Sequence, residues 1–201
     1  KNLRLFRKQK IQQLKDSNAF DDIYISSDSP DARASSGAHN VQFIDRDIAL
    51  CNNVTPWSDV IFEVVRSIPE PNDTHIAWCH TTSPLFSLFG DCLERYHENN
   101  SIGTANGLVA VSRCKEFILD EGATPVNYSW GPWHRYSQDL KKYYFVSGAL
   151  FVSRKDEMLR NRYVISSVPY LYEATPQESI DIDTEFDFKF AQYLYEEEGR
   201  L

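Results

Sequence analysis

The sequence predicts an α/β protein built on a mainly parallel sheet. Short runs rich in β-branched and aromatic residues, such as residues 22–26 and 107–112, alternate with longer segments whose apolar residues recur every three or four positions. Strands and helices that alternate in this way favour parallel pairing, with helices covering the sheet. The 201 residues can bury one substantial core and no Gly/Ser- or Pro-rich linker divides them, so we expect a single domain over residues 1–201.

The first hundred residues are predicted to alternate between helices and strands. Ser58 precedes apolar residues spaced by three and four, and its hydroxyl is expected to cap that helix. Ser83 followed by Pro84 predicts the start of another helix, because proline fits the first helical turn. The helices are expected at 3–14, at 58–68 and from 83 to 96, the strands at 22–26 and 75–79, and a further apolar segment at 41–44.

The second half of the chain is less regular. Pro, Gly and aromatic residues without a clear period predict an irregular segment over about residues 117–142. Gly148 interrupts an apolar strand at 144–152, which indicates a close approach of backbone or ligand. Thr184, with Asp187 three residues later, is expected to cap a final helix. A strand at 107–112 and a short helix at 155–162 complete the predicted elements.

Composition and charge limit the class of function. The formal net charge is −8, from 21 basic and 29 acidic residues, which argues against general attraction to nucleic acid. No apolar run approaches the roughly 20 residues that cross a bilayer, so we expect no membrane span. The four cysteines form no CxxC pair, which argues against structural zinc and predicts reduced thiols in a cytoplasmic protein.

Two aspartates flank one isoleucine in the stretch SIDIDTEFDF, residues 179–188. In an extended segment, side chains at positions i and i+2 point to the same side, so Asp181 and Asp183 would present two carboxylates together. Carboxylate oxygens suit Mg²⁺, which takes its remaining ligands from water and substrate phosphates. The alternative is that these acidic residues only favour the positive N-terminal end of the helix that follows.

Polar residues follow several of the predicted strands. Ligands of parallel α/β sheets bind beyond the carboxyl ends of the strands, so Ser27, Asp28 and residues 80–83 are candidates for one site shared with residues 181–183. Arg46 offers a guanidinium that can pair a phosphate bidentately. The alternatives are an ordinary capped turn at residues 80–83 and a surface arginine in a loop.

Five segments, in this order and spacing, resemble the cytidylyltransferases that activate acidic sugars, and most closely the acylneuraminate cytidylyltransferases. The resemblance extends over almost the whole chain. It is carried by DDIYISSDS (21–29), GAHNVQFIDRD (37–47), HTTSPLF (80–86), YYFVSGALFV (143–152) and SIDIDTEFDF (179–188). It implies a Rossmann-like nucleotidyltransferase fold, a three-layer sandwich with a small inserted segment near residues 117–143 at the interface of a homodimer.

The resemblance also implies a reaction. In that family the anomeric hydroxyl of a 2-keto sugar acid, such as sialic acid or a related nonulosonic acid, attacks the α-phosphate of CTP. Pyrophosphate leaves and the CMP-sugar forms, with Mg²⁺ required as cofactor. The expected partners are therefore CTP, an acidic 2-keto sugar and a second copy of the chain, with neither nucleic acid nor membrane.

Transferred residue by residue, the family's pattern implies three groups of functional positions. The metal-binding and catalytic DxD corresponds to Asp181 and Asp183. The nucleotide-binding candidates are Lys1, Asn2, Ser27, Asp28, Arg46 and Ser58, and the sugar-binding candidates are His80, Thr82, Ser83, Gln138, Ser147 and Gly148.

The chain departs from the family's pattern at three places. The family opens with a strand and a basic loop of the form IPARxGSK followed by KN, and here only Lys1-Asn2 corresponds to its end. We therefore expect an upstream segment to carry the first strand and the triphosphate loop. His80-Thr81 stands in place of Gln-Pro, and Ser147-Gly148 in place of Asn-Gly, which leaves the acceptor sugar open.

Two other functions compete with this interpretation. A glycosyltransferase of the GT-A type also uses a DxD to hold a metal and a nucleotide-sugar, although its DxD normally follows a mid-chain strand. A non-catalytic subunit that lost its triphosphate loop would keep the fold and bind nucleotide or sugar without turnover.

Overall fold

The computed structural model describes residues 3–197, which form six α-helices and six strands. The helices are α1 (Leu3–Asp16), α2 (Pro30–His39), α3 (Trp57–Ser67), α4 (Phe89–Ser101), α5 (Lys155–Asn161) and α6 (Glu185–Glu197). The strands are β1 (Tyr24–Ser27), β2 (Gln42–Asp45), β3 (His75–Trp78), β4 (Gly107–Cys114), β5 (Tyr143–Arg154) and β6 (Pro169–Glu173). The predicted α/β class is confirmed.

The strands form two sheets. β1 pairs with β2 in parallel, and the second sheet has the order β3-β5-β4-β6. β5 runs antiparallel to both β3 and β4, whereas β4 and β6 are parallel. Three of the four strands in the larger sheet therefore run in one direction, with β5 as the exception. This agrees with the predicted mainly parallel arrangement.

Helices cover both faces of the larger sheet because its central strands are apolar on both sides. Leu108 and Val152 lie on one face, in a buried cluster with Phe89 and Tyr96 of α4. Val109 and Phe151 lie on the other face, in a cluster to which α3 and α5 contribute apolar side chains. Alternate residues of one strand thus serve two cores, which gives the chain three layers.

β5 contains a large bulge. Its register with β4 shifts between Val109 and Val111, so that residues 147–150 of β5 lie opposite the single residue Ala110. Ser147 is buried, and its hydroxyl donates a hydrogen bond to the carbonyl oxygen of Ala110 at 3.2 Å. The predicted interruption of this strand at Gly148 is this bulge, which lies inside a strand longer than expected.

A cleft of about 920 Å³ separates the two sheets. Within residues 3–197, β1 pairs only with β2 and β3 only with β5, so each has one edge without a strand partner. Residues of β1, of β3 and of α1 line the cleft. The two unpaired edges and the helix beside them enclose a space that is largely walled by apolar side chains.

Helix α1 holds the loop that follows β3. The side-chain amides of Gln9 and Gln13 donate to the carbonyl oxygen of Pro84 at 3.2 and 2.9 Å. The ammonium group of Lys10 donates to the carbonyl oxygen of Phe86 at 2.9 Å. Lys10 is only 2% exposed, and burial lowers the pKa of its amine to about 8.

Two predicted helix starts are wrong. Pro56, not Ser58, precedes α3, and Ser58 lies within the helix without capping it. No helix starts at Ser83; α4 begins at Phe89. The carbonyl groups of Pro84 and Phe86 accept hydrogen bonds from α1, and these are the acceptors that a helix would need for its own ladder.

Helix α2 was not predicted because only small residues are buried on it: Ala32, Ser35 and Ser36. The predicted cap of α6 is confirmed by reciprocal bonds between Thr184 and Asp187. The Asp187 carboxylate accepts from the Thr184 backbone at 2.8 Å, and the Asp187 backbone donates to the Thr184 hydroxyl at 3.3 Å. In the part of the chain that the structure describes, no helix is long and apolar enough to cross a membrane.

Gly107 provides a test of the packing between β4 and β5. A Cβ atom at residue 107 would lie 2.8 Å from the carbonyl oxygen of Val152 and closer still to the Ser166 hydroxyl. We expect Gly107→Ala to lower the free energy of unfolding by about 1–3 kcal/mol, because the backbone contact cannot relax. Urea denaturation of the purified protein measures this change.

Gly37→Ala is the matched control for this test. Gly37 lies inside α2, and a Cβ atom there meets nothing within 4 Å. We expect this substitution to raise stability by about 0.5–1 kcal/mol, because alanine loses less backbone entropy in a helix than glycine. Equal effects of the two substitutions would contradict the assigned packing.

Candidate functional site

The carboxyl ends of β1 and β3 meet at one end of the cleft. Ser27 ends β1, Arg46 follows β2, Trp57 begins α3 and His80 follows β3, and all four line the cleft. Side chains from four separate segments of the sequence are thereby brought together. The position agrees with the rule that places ligands beyond the carboxyl ends of strands in α/β sheets.

His80 and Asp181 approach each other over Gly148. The His80 backbone N–H donates to the Gly148 carbonyl oxygen at 3.0 Å. A Cβ atom at residue 148 would lie 2.5 Å from His80 Nδ1 and 3.2 Å from Asp181 Oδ2. The predicted close approach at Gly148 is therefore present, and the approaching groups are an imidazole and a carboxylate.

The segment with the two aspartates is anchored to the loop after β3. The Ile182 backbone N–H donates to the Thr82 carbonyl oxygen at 2.8 Å. This bond places Asp181 beside His80, while Asp183, two residues further along the chain, is exposed. One backbone contact thus brings a candidate metal-binding segment against a candidate sugar-binding turn.

Three buried polar atoms on the loop after β3 and on the segment anchored to it have no hydrogen-bond partner among residues 3–197. They are His80 Nε2, Ser83 Oγ and Asp181 Oδ1. Leaving such an atom unsatisfied costs roughly 1–3 kcal/mol, so buried polar groups are almost always paired. Three unpaired atoms on neighbouring segments indicate a place where a ligand, an ion or water supplies the partner.

The electrostatics of His80 favour its neutral form. Burial lowers the pKa of the imidazole, and the nearby carboxylate of Asp181 opposes this shift without cancelling it. Neutral His80 presents one ring nitrogen as donor and the other as acceptor. It can therefore hydrogen-bond a hydroxyl group without adding a positive charge.

The carboxylates present fit a magnesium ion that takes most of its ligands from water and from the phosphates of a substrate. Within residues 3–197, no group of three His, Cys, Asp or Glu side chains could hold a metal. The nearby Asp187 carboxylate is taken up by the Thr184 cap, and those hydrogen bonds lower its pKa. Asp181 and Asp183 remain, which matches the preference of Mg²⁺ for one or two carboxylates plus water and phosphate oxygens.

The nucleotide candidates surround the end of β1. Arg46 donates from Nη2 to the Ser26 carbonyl oxygen at 2.9 Å and from Nε to the Ser26 hydroxyl at 3.2 Å. These bonds hold its guanidinium at the cleft.

Two other nucleotide candidates lie at the end of β1, and two lie outside the described residues. The Ser27 hydroxyl accepts a hydrogen bond from the Ser29 backbone N–H at 3.2 Å, where α2 begins, and Asp28 is exposed beside it. Lys1 and Asn2 lie outside the described residues.

The structure does not bring every sequence candidate to the cleft. Gln138 lies in an exposed single turn at Ser137–Asp139, and no described contact connects it to the cleft. Ser58 lies in the first turn of α3, next to Trp57, with its side chain half-buried. Trp57 was not among the residues expected at the site, and the only signal for it in the sequence is its place as an aromatic residue just ahead of the apolar repeat of α3.

Substituting Gly148 tests the contact with His80. We expect Gly148→Ala to push the imidazole out of its buried position and to raise its pKa toward the ordinary value near 6.5. NMR titration of the His80 ring proton measures this shift. Gly90→Ala, where a Cβ atom meets nothing within 4 Å, serves as control. An unchanged His80 titration in the Gly148 variant would exclude the contact.

Comparison with known proteins gives a partial match in sequence and a nearly complete match in fold. No family model matches the chain. Over 51 residues the chain is 39% identical to N-acylneuraminate cytidylyltransferases of Streptococcus agalactiae serotypes III and V. The matched segment covers 25% of this chain and 12% of those relatives. The resemblance to that family is thus supported over a short segment.

Solved cytidylyltransferases share the fold over almost the entire chain. The 4-diphosphocytidyl-2C-methyl-D-erythritol synthase of Anaerococcus prevotii is 12% identical, with a TM-score of 0.63 over 94% of this chain and 88% of that structure. The structure of CMP:2-keto-3-deoxy-manno-octonic acid synthetase complexed with CTP is 12% identical in sequence. Its TM-score is 0.57, over 94% of this chain and 88% of that structure. These similarities confirm the Rossmann-like nucleotidyltransferase fold.

Proposed function

We propose that this chain belongs to an enzyme that activates a 2-keto sugar acid with CTP, in a magnesium-dependent reaction. The observation that carries the proposal is the set of unpaired buried atoms of His80, which lines the cleft, and of Ser83 and Asp181 on the two segments joined beside it. The fold shared with solved cytidylyltransferases and the 51-residue match to N-acylneuraminate cytidylyltransferases support it. Sialic acid and related nonulosonic acids are the proposed acceptors.

In the proposed reaction the protein mainly positions its substrates. The anomeric oxygen of the sugar forms a bond to the α-phosphorus of CTP, the bond from that phosphorus to pyrophosphate breaks, and the hydroxyl proton passes to water. Asp181 and Asp183 would hold the Mg²⁺, which supplies neutralisation of charge on the triphosphate. Arg46 would bind phosphate oxygens. Ser83 and neutral His80 would hydrogen-bond the sugar, so that its hydroxyl is aligned for attack.

The cleft supports the further proposal that a strand precedes α1 in the complete protein. The unpaired edges of β1 and β3 both face the cleft, and a strand between them would join the two sheets. The middle of α1 contacts the loop after β3 through Gln9 and Lys10, and α1 lines the cleft, so a loop that joins the carboxyl end of such a strand to α1 would lie beside the cleft. That loop would carry the basic residues that bind the triphosphate.

We also propose that the enzyme is a cytoplasmic homodimer whose interface includes the irregular segment. Trp130, Trp133 and Tyr136 in this segment are 60%, 76% and 74% exposed. Large exposed aromatic side chains are typical of surfaces that another protein covers. The four cysteines are free, which supports a reducing compartment.

The function is tested by pyrophosphate release in the complete encoded protein. We expect release from CTP only when Mg²⁺ and a 2-keto sugar acid are both present. Asp181→Asn and Asp183→Asn should each lower kcat/KM by at least about 100-fold, because each removes charge that stabilises the transition state. Glu185→Gln is the matched control, since it removes an equivalent charge from the exposed first turn of α6.

Other outcomes would separate the competing functions. Transfer from a nucleotide-sugar to an acceptor would favour a glycosyltransferase. Binding of CTP without turnover of any 2-keto sugar acid would favour a non-catalytic subunit. Full activity in both aspartate variants would contradict the assigned metal site.

A further inference from the structure

Trp57 occupies the point where the candidate nucleotide and sugar residues meet. It is the first residue of α3, whose orientation is fixed by the burial of Val60 and Ile61. Its indole ring makes edge contacts with Trp78 and His80, with ring centroids 5.8 and 5.9 Å apart. These two neighbours support the ring at the carboxyl end of the cleft.

Much of this ring remains open to the cleft. Trp57 is 45% exposed and lines the cleft. Among residues 3–197, it is the only exposed Phe, Tyr or Trp in that lining; the others are Phe20, Tyr24, Trp78 and Tyr96. Aromatic rings gain much of their stabilising effect from burial, so an exposed, supported indole at a ligand site indicates a contact surface.

The other nucleotide candidates leave one part of a nucleotide without a partner. Ser27, Asp28, Arg46 and Ser58 offer hydroxyl, carboxylate and guanidinium groups, which suit ribose and phosphates. A nucleobase also has two flat faces that must lose water on binding. Stacking against an aromatic side chain is the usual way in which proteins satisfy such a face.

We propose that Trp57 stacks on the pyrimidine ring of the bound nucleotide. The inference rests on the proposed function, because it takes the nucleotide to be CTP. It adds a residue that recognises the base to a set that otherwise recognises charge and hydroxyl groups. Because His80 contacts Trp57 on one side and faces Gly148 on another, the base would lie next to the site of the sugar.

The test compares a ligand that has a base with one that lacks it. Dissociation constants of CTP, and of inorganic tripolyphosphate as its competitor, are measured calorimetrically with Mg²⁺ on the complete encoded protein. We expect Trp57→Ala to weaken binding of CTP roughly 10- to 100-fold, because one base stack is lost, and to leave the dissociation constant of tripolyphosphate within about twofold. Trp57→Phe should keep CTP within about fivefold.

Tyr163→Ala is the matched control. Tyr163 has the same exposed fraction, 45%, and does not line the cleft, so its removal should change neither ligand. Unchanged CTP affinity in Trp57→Ala would overturn the inference. Equal weakening of CTP and tripolyphosphate would also overturn it, since it would indicate a disturbed phosphate site. Failure of the unsubstituted protein to bind CTP would refute the proposed function itself.

Discussion

The approach of His80 to the backbone at Gly148 is the contact on which the site depends. A side chain at residue 148 would occupy the space of the imidazole, so only glycine allows the end of β3 to meet the bulge of β5. The backbone bond from His80 to Gly148 then fixes the loop, and the bond from Ile182 to Thr82 adds the acidic segment. Backbone groups make these connections, which leaves side-chain atoms free to bind ligands.

Helix α1 stabilises the same loop from the opposite direction. A buried lysine is costly unless its ammonium group is hydrogen-bonded, and the carbonyl oxygen of Phe86 satisfies Lys10 in this way. The glutamine side chains of α1 satisfy Pro84 similarly. The loop therefore needs no helical hydrogen bonds of its own. Ser83 is fully buried at its start, and its hydroxyl has no hydrogen-bond partner among residues 3–197.

Sequence periodicity predicted the elements whose burial follows a simple repeat. The apolar repeat of α3 and the capping pair Thr184–Asp187 both lie where they were expected. Helix α2 was missed because alanine and serine fill its buried face, and the start of α4 was misplaced because tertiary hydrogen bonds override the Ser83-Pro84 signal. Local propensity does not report such long-range bonds.

For the site, the sequence indicated a close approach at Gly148 and two carboxylates before α6. It did not indicate that His80 and Asp181 share that approach, because their contact depends on the bulge of β5. Trp57 was missed for the same kind of reason, since its position depends on where α3 meets the end of β3. The resemblance to the cytidylyltransferases assigned Gln138 to the sugar site, but Gln138 lies in the turn Ser137–Asp139 and no described contact connects it to the cleft.

The most direct test is a crystal structure of the complete protein with CTP and Mn²⁺ in place of Mg²⁺. Anomalous scattering locates the manganese independently of any prior assignment. We expect a manganese peak at coordination distance from the carboxylates of Asp181 and Asp183 and from the triphosphate, at the carboxyl end of the cleft. Manganese and CTP bound together elsewhere, with neither aspartate as a ligand, would contradict this expectation.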